Sequence, residues 1–107
     1  MKLITKDIAN KLSNNLGSDH DKPYLKLFNP CGSATWLISE YDPKTQIMFG
    51  LCDLGMGFPE LGYVSLDEVL DVKLPLGLSI ERDKYFEPNK TLQEYAQEAR
   101  INGKIIA

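Results

Sequence analysis

At 107 residues, with 43% hydrophobic and 25% charged side chains, the chain has the balance of one soluble globular domain, which argues against disorder. Its formal net charge of −3 at pH 7 disfavours general attachment to nucleic-acid backbones. No apolar run approaches the ~20 residues that a membrane-spanning helix needs.

The opening segment, Met1-Lys2-Leu3-Ile4-Thr5-Lys6-Asp7, has no apolar stretch of the signal-peptide kind, which points to a cytoplasmic protein. Cys31 and Cys52 are isolated in sequence. Two buried thiols are expected rather than a disulfide.

Thr5 reads as an N-cap, and Asp7 suits the positive end of the helix that follows. Ile8, Ala9, Leu12 and Leu16 lie at helical spacing, and Gly17 is a stop signal. A polar loop, residues 18–23, contains the single histidine, His20, between Asp19 and Asp21. Three strands are then expected: 24–28, 34–41 and 46–52. Asn29-Pro30-Cys31-Gly32 and Asp42-Pro43-Lys44-Thr45 are turn sequences joining them into an antiparallel meander. Strict alternation in the second strand puts Trp36, Ile38 and Glu40 on one face and Thr35, Leu37, Ser39 and Tyr41 on the other. Both faces carry apolar residues, so part of each is expected to be covered.

Residues 53–62 read as a loop in which Gly55, Gly57 and Gly62 supply positive φ. Tyr63-Val64 is a short strand candidate. Ser65-Leu66-Asp67-Glu68 is a capping box, with Ser65 the cap and Glu68 reaching back, opening a short helix. Pro75 and Gly77 break the chain, and residues 79–82 are a last strand. Thr91-Leu92-Gln93-Glu94 is a second capping box for a helix stopped by Asn102-Gly103. The layout is α+β. It consists of a small antiparallel sheet of about 4–5 strands with N-terminal, short middle and C-terminal helices packed against it, as one domain over residues 1–107.

Charge is unevenly spread. Residues 38–71 carry only Lys44 against Glu40, Asp42, Asp53, Glu60, Asp67, Glu68 and Asp71. An acidic middle repels phosphates and attracts basic protein surfaces. Phe58, beside Pro59 in the glycine-rich loop, is the aromatic expected to be exposed. Rimmed by Asp53 and Glu60, it would form a hot spot for a protein partner.

The known chemistries are poorly served. Phe58-Pro59 interrupts the glycines and no Lys-Ser/Thr follows, so neither a dinucleotide fingerprint nor a P-loop is present. Ser33 and Ser65 lack a nucleophile-elbow sequence. A zinc site would need more than His20 with its flanking aspartates. In an extended segment Glu81 and Asp83 point the same way, ~7 Å apart. With Asp53, Glu60 or Asp67 they would form a Mg²⁺ site of the nuclease type. Arg82, pointing oppositely beside Ile80, is expected instead to make a bidentate pair with a carboxylate and pin the last strand. No cofactor is expected.

One block is distinctive: Pro59-Glu60-Leu61-Gly62-Tyr63-Val64-Ser65-Leu66-Asp67-Glu68-Val69, then Leu76-Gly77-Leu78-Ser79-Ile80-Glu81-Arg82-Asp83, with Phe86 and Pro88. Together with residues 1–6 and the stretch around Trp36 and Phe49, it resembles the domain of unknown function 2958 family. These are small bacterial proteins found largely on plasmids, conjugative elements and phages. The resemblance covers roughly residues 1–88 and leaves the last helix outside as a local addition. It carries no activity or catalytic residues, but it implies an accessory of a mobile element.

The expected function is therefore non-catalytic protein binding through Asp53, Phe58, Glu60, Asp67, Glu68 and Asp71. The partner would be a basic host nuclease of the restriction or CRISPR type, with Arg82, Ser65 and Gly62 in structural roles. The alternatives are a metal-dependent hydrolase using Glu81 and Asp83, or a subunit of a conjugation or regulatory complex.

Overall fold

The computed structural model describes residues 2–18 and 21–107. Thr5 caps the first helix, α1 (Lys6–Asn14), its hydroxyl accepting the Ile8 N–H at 3.2 Å. The helix ends sooner than its periodicity predicts. Asn15 is the C-cap, and its side-chain amide donates to the Ser39 carbonyl at 3.0 Å. Leu16 therefore leaves the apolar stripe and is 48% exposed, while Leu12 is fully buried.

Five strands form one antiparallel sheet: β1 (Leu25–Phe28), β2 (Thr35–Asp42), β3 (Ile47–Asp53), β4 (Glu60–Ser65) and β5 (Glu81–Arg82), in the order β4-β3-β2-β1-β5. The first four make the expected meander. β5 returns to pair outside β1, so β4 and β5 are the two edges.

Both faces are covered, as expected. On one, α1 and the short α2 (Leu66–Leu70) close over Leu27, Trp36, Ile38 and Met48, with Leu12, Val69 and Ile80. On the other, α3 (Leu92–Asn102) lays Leu92, Tyr95, Ala96 and Ala99 against Leu37 and Leu51. The result is a three-layer helix–sheet–helix arrangement.

The alternation expected for β2 breaks at one point. Ile38 pairs with Gly50 but Glu40 pairs with Phe49, so Ser39 is the extra residue of a β-bulge. Past it the faces exchange, and Tyr41 joins Trp36 and Ile38 in the α1-side core. β4 also begins earlier than expected. Gly62 lies inside it opposite Gly50, without positive φ, whereas Gly55 and Gly57 do take φ of +83° and +84°.

The two capping boxes differ. Around α3 the box is complete: Thr91 Oγ1 accepts the Glu94 N–H at 3.2 Å and Glu94 Oε1 accepts the Thr91 N–H at 2.9 Å. Hydrogen bonding of the Glu94 carboxyl to the Thr91 backbone first, then to the Thr91 side chain, holds it below its usual range. At α2 only the Ser65 half forms, at 3.4 Å. Ser65 is also the last residue of β4, opposite Ile47. Thr91→Ala is expected to lower stability by about 0.5–2 kcal/mol, read by denaturant unfolding followed by circular dichroism.

Both cysteines are free. Cys52 is half-buried, and burial raises its thiol pKa. Cys31, expected inside, is exposed in the β1–β2 turn, where its N–H donates to Asn29 Oδ1 at 2.7 Å. No helix among the described residues is long and apolar enough to cross a membrane.

Candidate functional site: the β4 edge and its two ends

The loop between β3 and β4 is built around one carboxylate. Asp53, the last residue of β3, is 3% exposed. Its Oδ1 accepts the Gly55 N–H at 2.8 Å and its Oδ2 accepts the Ile105 N–H at 3.0 Å. A buried charge is tolerable when it is hydrogen-bonded. Here those bonds also tie the loop to the tail beyond α3. Asp53 therefore faces inward and is not part of an acidic rim, contrary to its expected place beside Phe58.

With the loop anchored and Gly55 and Gly57 in the left-handed region, the residues between and beside them turn outward. Leu54, Met56 and Phe58 are 56%, 70% and 79% exposed, while Pro59 is buried. Single exposed apolar residues are ordinary. Three in one short, anchored loop form a patch of the kind that partners cover. Phe58 was legible from its neighbours. Leu54 and Met56 are marked in the sequence only by the alternation of large apolar residues with Gly55 and Gly57.

β4 continues from this loop as an edge strand. Its outer backbone groups have no strand partner among the described residues. Glu60 is exposed at its start. Tyr63, assigned no place at the surface from sequence, is 77% exposed and lies 4.9 Å, centroid to centroid, from the Phe49 ring.

Beyond β4, the exposed carboxylates Asp67, Glu68 and Asp71 sit on and just after α2. With its amide nitrogen facing Asp67, Gln46 donates to that carboxylate at 3.0 and 3.2 Å. Burial first, then the negative charges of Asp67 and Asp42, push the Tyr41 phenol above its ordinary pKa.

These features are not one compact patch. Five strand rises separate Glu60 from Ser65, about 17 Å. The apolar loop with Glu60 lies at one end, the carboxylates of α2 at the other, and Tyr63 and the open β4 edge run between them.

The β5 cluster is arranged otherwise. Arg82 is opposite Leu27 and shares the α1-side face with buried Ile80. Glu81 and Asp83 take the other face, as alternation predicts. The expected bidentate pair of Arg82 is absent among the described residues, and its Nη1 is buried without a hydrogen-bond partner. The β5 tie is made instead by Asp83. Its carboxylate lies 3.5 Å from Lys26 Nζ, and its N–H donates to the Lys26 carbonyl at 3.0 Å.

Register also separates the acids proposed for a metal. Glu81, Phe28, Thr35 and Asp53 form one row across four strands, which puts Glu81 and Asp53 about 14 Å apart. Glu60 and Asp67 lie towards the far edge. Among the described residues no group of three or more His, Cys, Asp or Glu is placed to hold a metal ion. Asp19 and His20 lie outside the described residues.

The sequence profile of a family described as protein of unknown function, DUF2958, matches residues 2–106. The chain belongs to the DUF2958 family. Its match runs through α3 and the tail, so the last helix is part of the DUF2958 domain and not an addition to it, consistent with the Asp53–Ile105 bond and the α3-side core. No curated protein and no solved structure matches the chain significantly.

Proposed function

We propose that this DUF2958 domain is a protein-binding module that docks through the β4 side. The Leu54–Phe58 loop supplies the apolar anchor, Tyr63 and the open edge supply length, and Asp67, Glu68 and Asp71 supply charge. The observation that carries this reading is the loop. Three large apolar side chains face solvent from a backbone fixed by a buried carboxylate, so ordering them costs little when a partner arrives. Aromatic anchors ringed by polar groups are where binding energy concentrates.

The charge selects the partner class. Carboxylates at both ends of β4 complement a surface rich in Lys and Arg, the same groups that hold phosphates. A nucleic-acid-handling host protein, such as a restriction or CRISPR-type nuclease, fits this chemistry, with the DUF2958 domain occupying its phosphate site. Carriage on a mobile element would give such an inhibitor its purpose.

The test begins with affinity capture from a host lysate at low and high salt, followed by kinetics with the purified partner. Association should slow as salt rises, since charge steering is screened. Reversing Asp67, Glu68 and Asp71 to Lys should reduce the on-rate about tenfold or more. Phe58→Ala should raise the dissociation constant by about thirtyfold or more, the effect of a hot-spot residue. Unchanged binding in both variants would rule out this face.

A further inference from the structure

At the opposite edge of the sheet, α1 and the segment through β5 border a solvent-open cleft of about 510 Å³ lined by Lys11, Lys22, Tyr24, Arg82, Lys84 and Phe86, among others. Its charges are unevenly matched. Lys11 is 3.5 Å from Asp7, and Asp83 is engaged by Lys26. Among the described residues, Lys22, Arg82 and Lys84 have no ion-pair partner, and Glu87 is the one remaining carboxylate on the wall. Arg82 lines the cleft and no protein carboxylate holds it; its Nη1 lies buried behind the wall without a hydrogen-bond partner, as do Asp21 Oδ2 and Glu98 Oε1 among the described residues. Buried donors are almost always satisfied, by protein, water or a bound ion.

We infer that this cleft binds the phosphoryl group of a small phosphorylated molecule, with Arg82 lining it and Lys22 and Lys84 at its rim. The guanidinium fork matches phosphate oxygens in pairs. A phosphate monoester carries close to two negative charges near neutral pH, which suits several unpaired cations better than a single carboxylate does. The open cleft leaves room for an organic portion against Tyr24 and Phe86.

Calorimetric titration of the intact protein with inorganic phosphate, AMP and acetate, at matched ionic strength, tests this. Saturable binding of phosphate and AMP, with acetate much weaker, is expected. AMP binding more tightly than phosphate would place a nucleoside in the cleft, and equal binding would assign the site to the phosphoryl group alone. Arg82→Met should weaken AMP binding by about tenfold or more. Because Arg82 is partly buried, the double variant Lys22→Gln, Lys84→Gln is the second arm. Both lysines are exposed, so its thermal midpoint should hold while affinity falls severalfold. Absence of phosphate and AMP binding, acetate binding as tightly as phosphate, or affinity unchanged in both variants would overturn the assignment.

Discussion

Gly50→Ala is expected to cost about 3 kcal/mol or more, because the added methyl has no space and its neighbour has no freedom to move. A Cβ at Gly50 would run into the Leu37 carbonyl oxygen and lie 2.8 Å from the Ile38 Cα. These are backbone atoms of β2, held in the ladder between β1 and β3. Overpacking usually costs 1–3 kcal/mol when side chains yield. Here a strand would have to shift, beside the bulge at Ser39. For a domain of this size the thermal midpoint should fall by more than ~10 °C. Gly62→Ala is the control. Gly62 faces Gly50 in β4, has no positive φ, and a Cβ there meets nothing within 4 Å. Its alanine variant should stay within about 1 kcal/mol of the parent. A fully stable Gly50→Ala would mean that β2 and β3 do not pair as described.

Gly50 also shows where sequence reasoning stops. Features that rest on a few adjacent residues were legible: the Thr5 cap, the Thr91 box with its Gly103 stop, the Asp42–Thr45 hairpin, and Gly55 and Gly57 in positive φ. An isolated glycine within a strand is itself a bulge signal, yet the inserted residue is on the partner strand, and only register reveals it. Once Ser39 is inserted, Tyr41 changes face and strict alternation fails. The same limit applies to the site. Phe58 was readable from its loop, but the distance from Phe58 to Asp67 depends on Gly62 lying in β4 rather than in the loop. Arg82 looked like a strand pin because Glu81 and Asp83 flank it. Pleating sends those carboxylates to the other face, and Lys26, from β1, takes Asp83.

Asp53 links the fold to the proposed docking face, so Asp53→Asn should have two separable effects. The carboxylate accepts from Gly55 and from Ile105, 52 residues away. An amide keeps one acceptor oxygen and turns a donor towards the second N–H, leaving at least one inward-facing donor unpaired. That predicts a loss of about 2 kcal/mol or more, measured by denaturant unfolding. Asp53→Ala removes both acceptors and should cost more. The second effect is local. Hydrogen exchange at the Gly55 and Ile105 amides should accelerate beyond what the global loss explains, because the loop and tail lose their common anchor. If the Leu54–Phe58 loop is the partner's anchor, affinity should fall in Asp53→Asn although Asp53 itself is buried and touches no partner, since binding must then order the loop. Such a loss should appear chiefly as faster dissociation and should persist at high salt. Reversal of Asp67, Glu68 and Asp71 should instead act on association and fade as salt rises. An Asp53→Asn variant with a mobile loop and undiminished affinity would separate the loop from binding and leave the β4 edge and the α2 carboxylates to account for it.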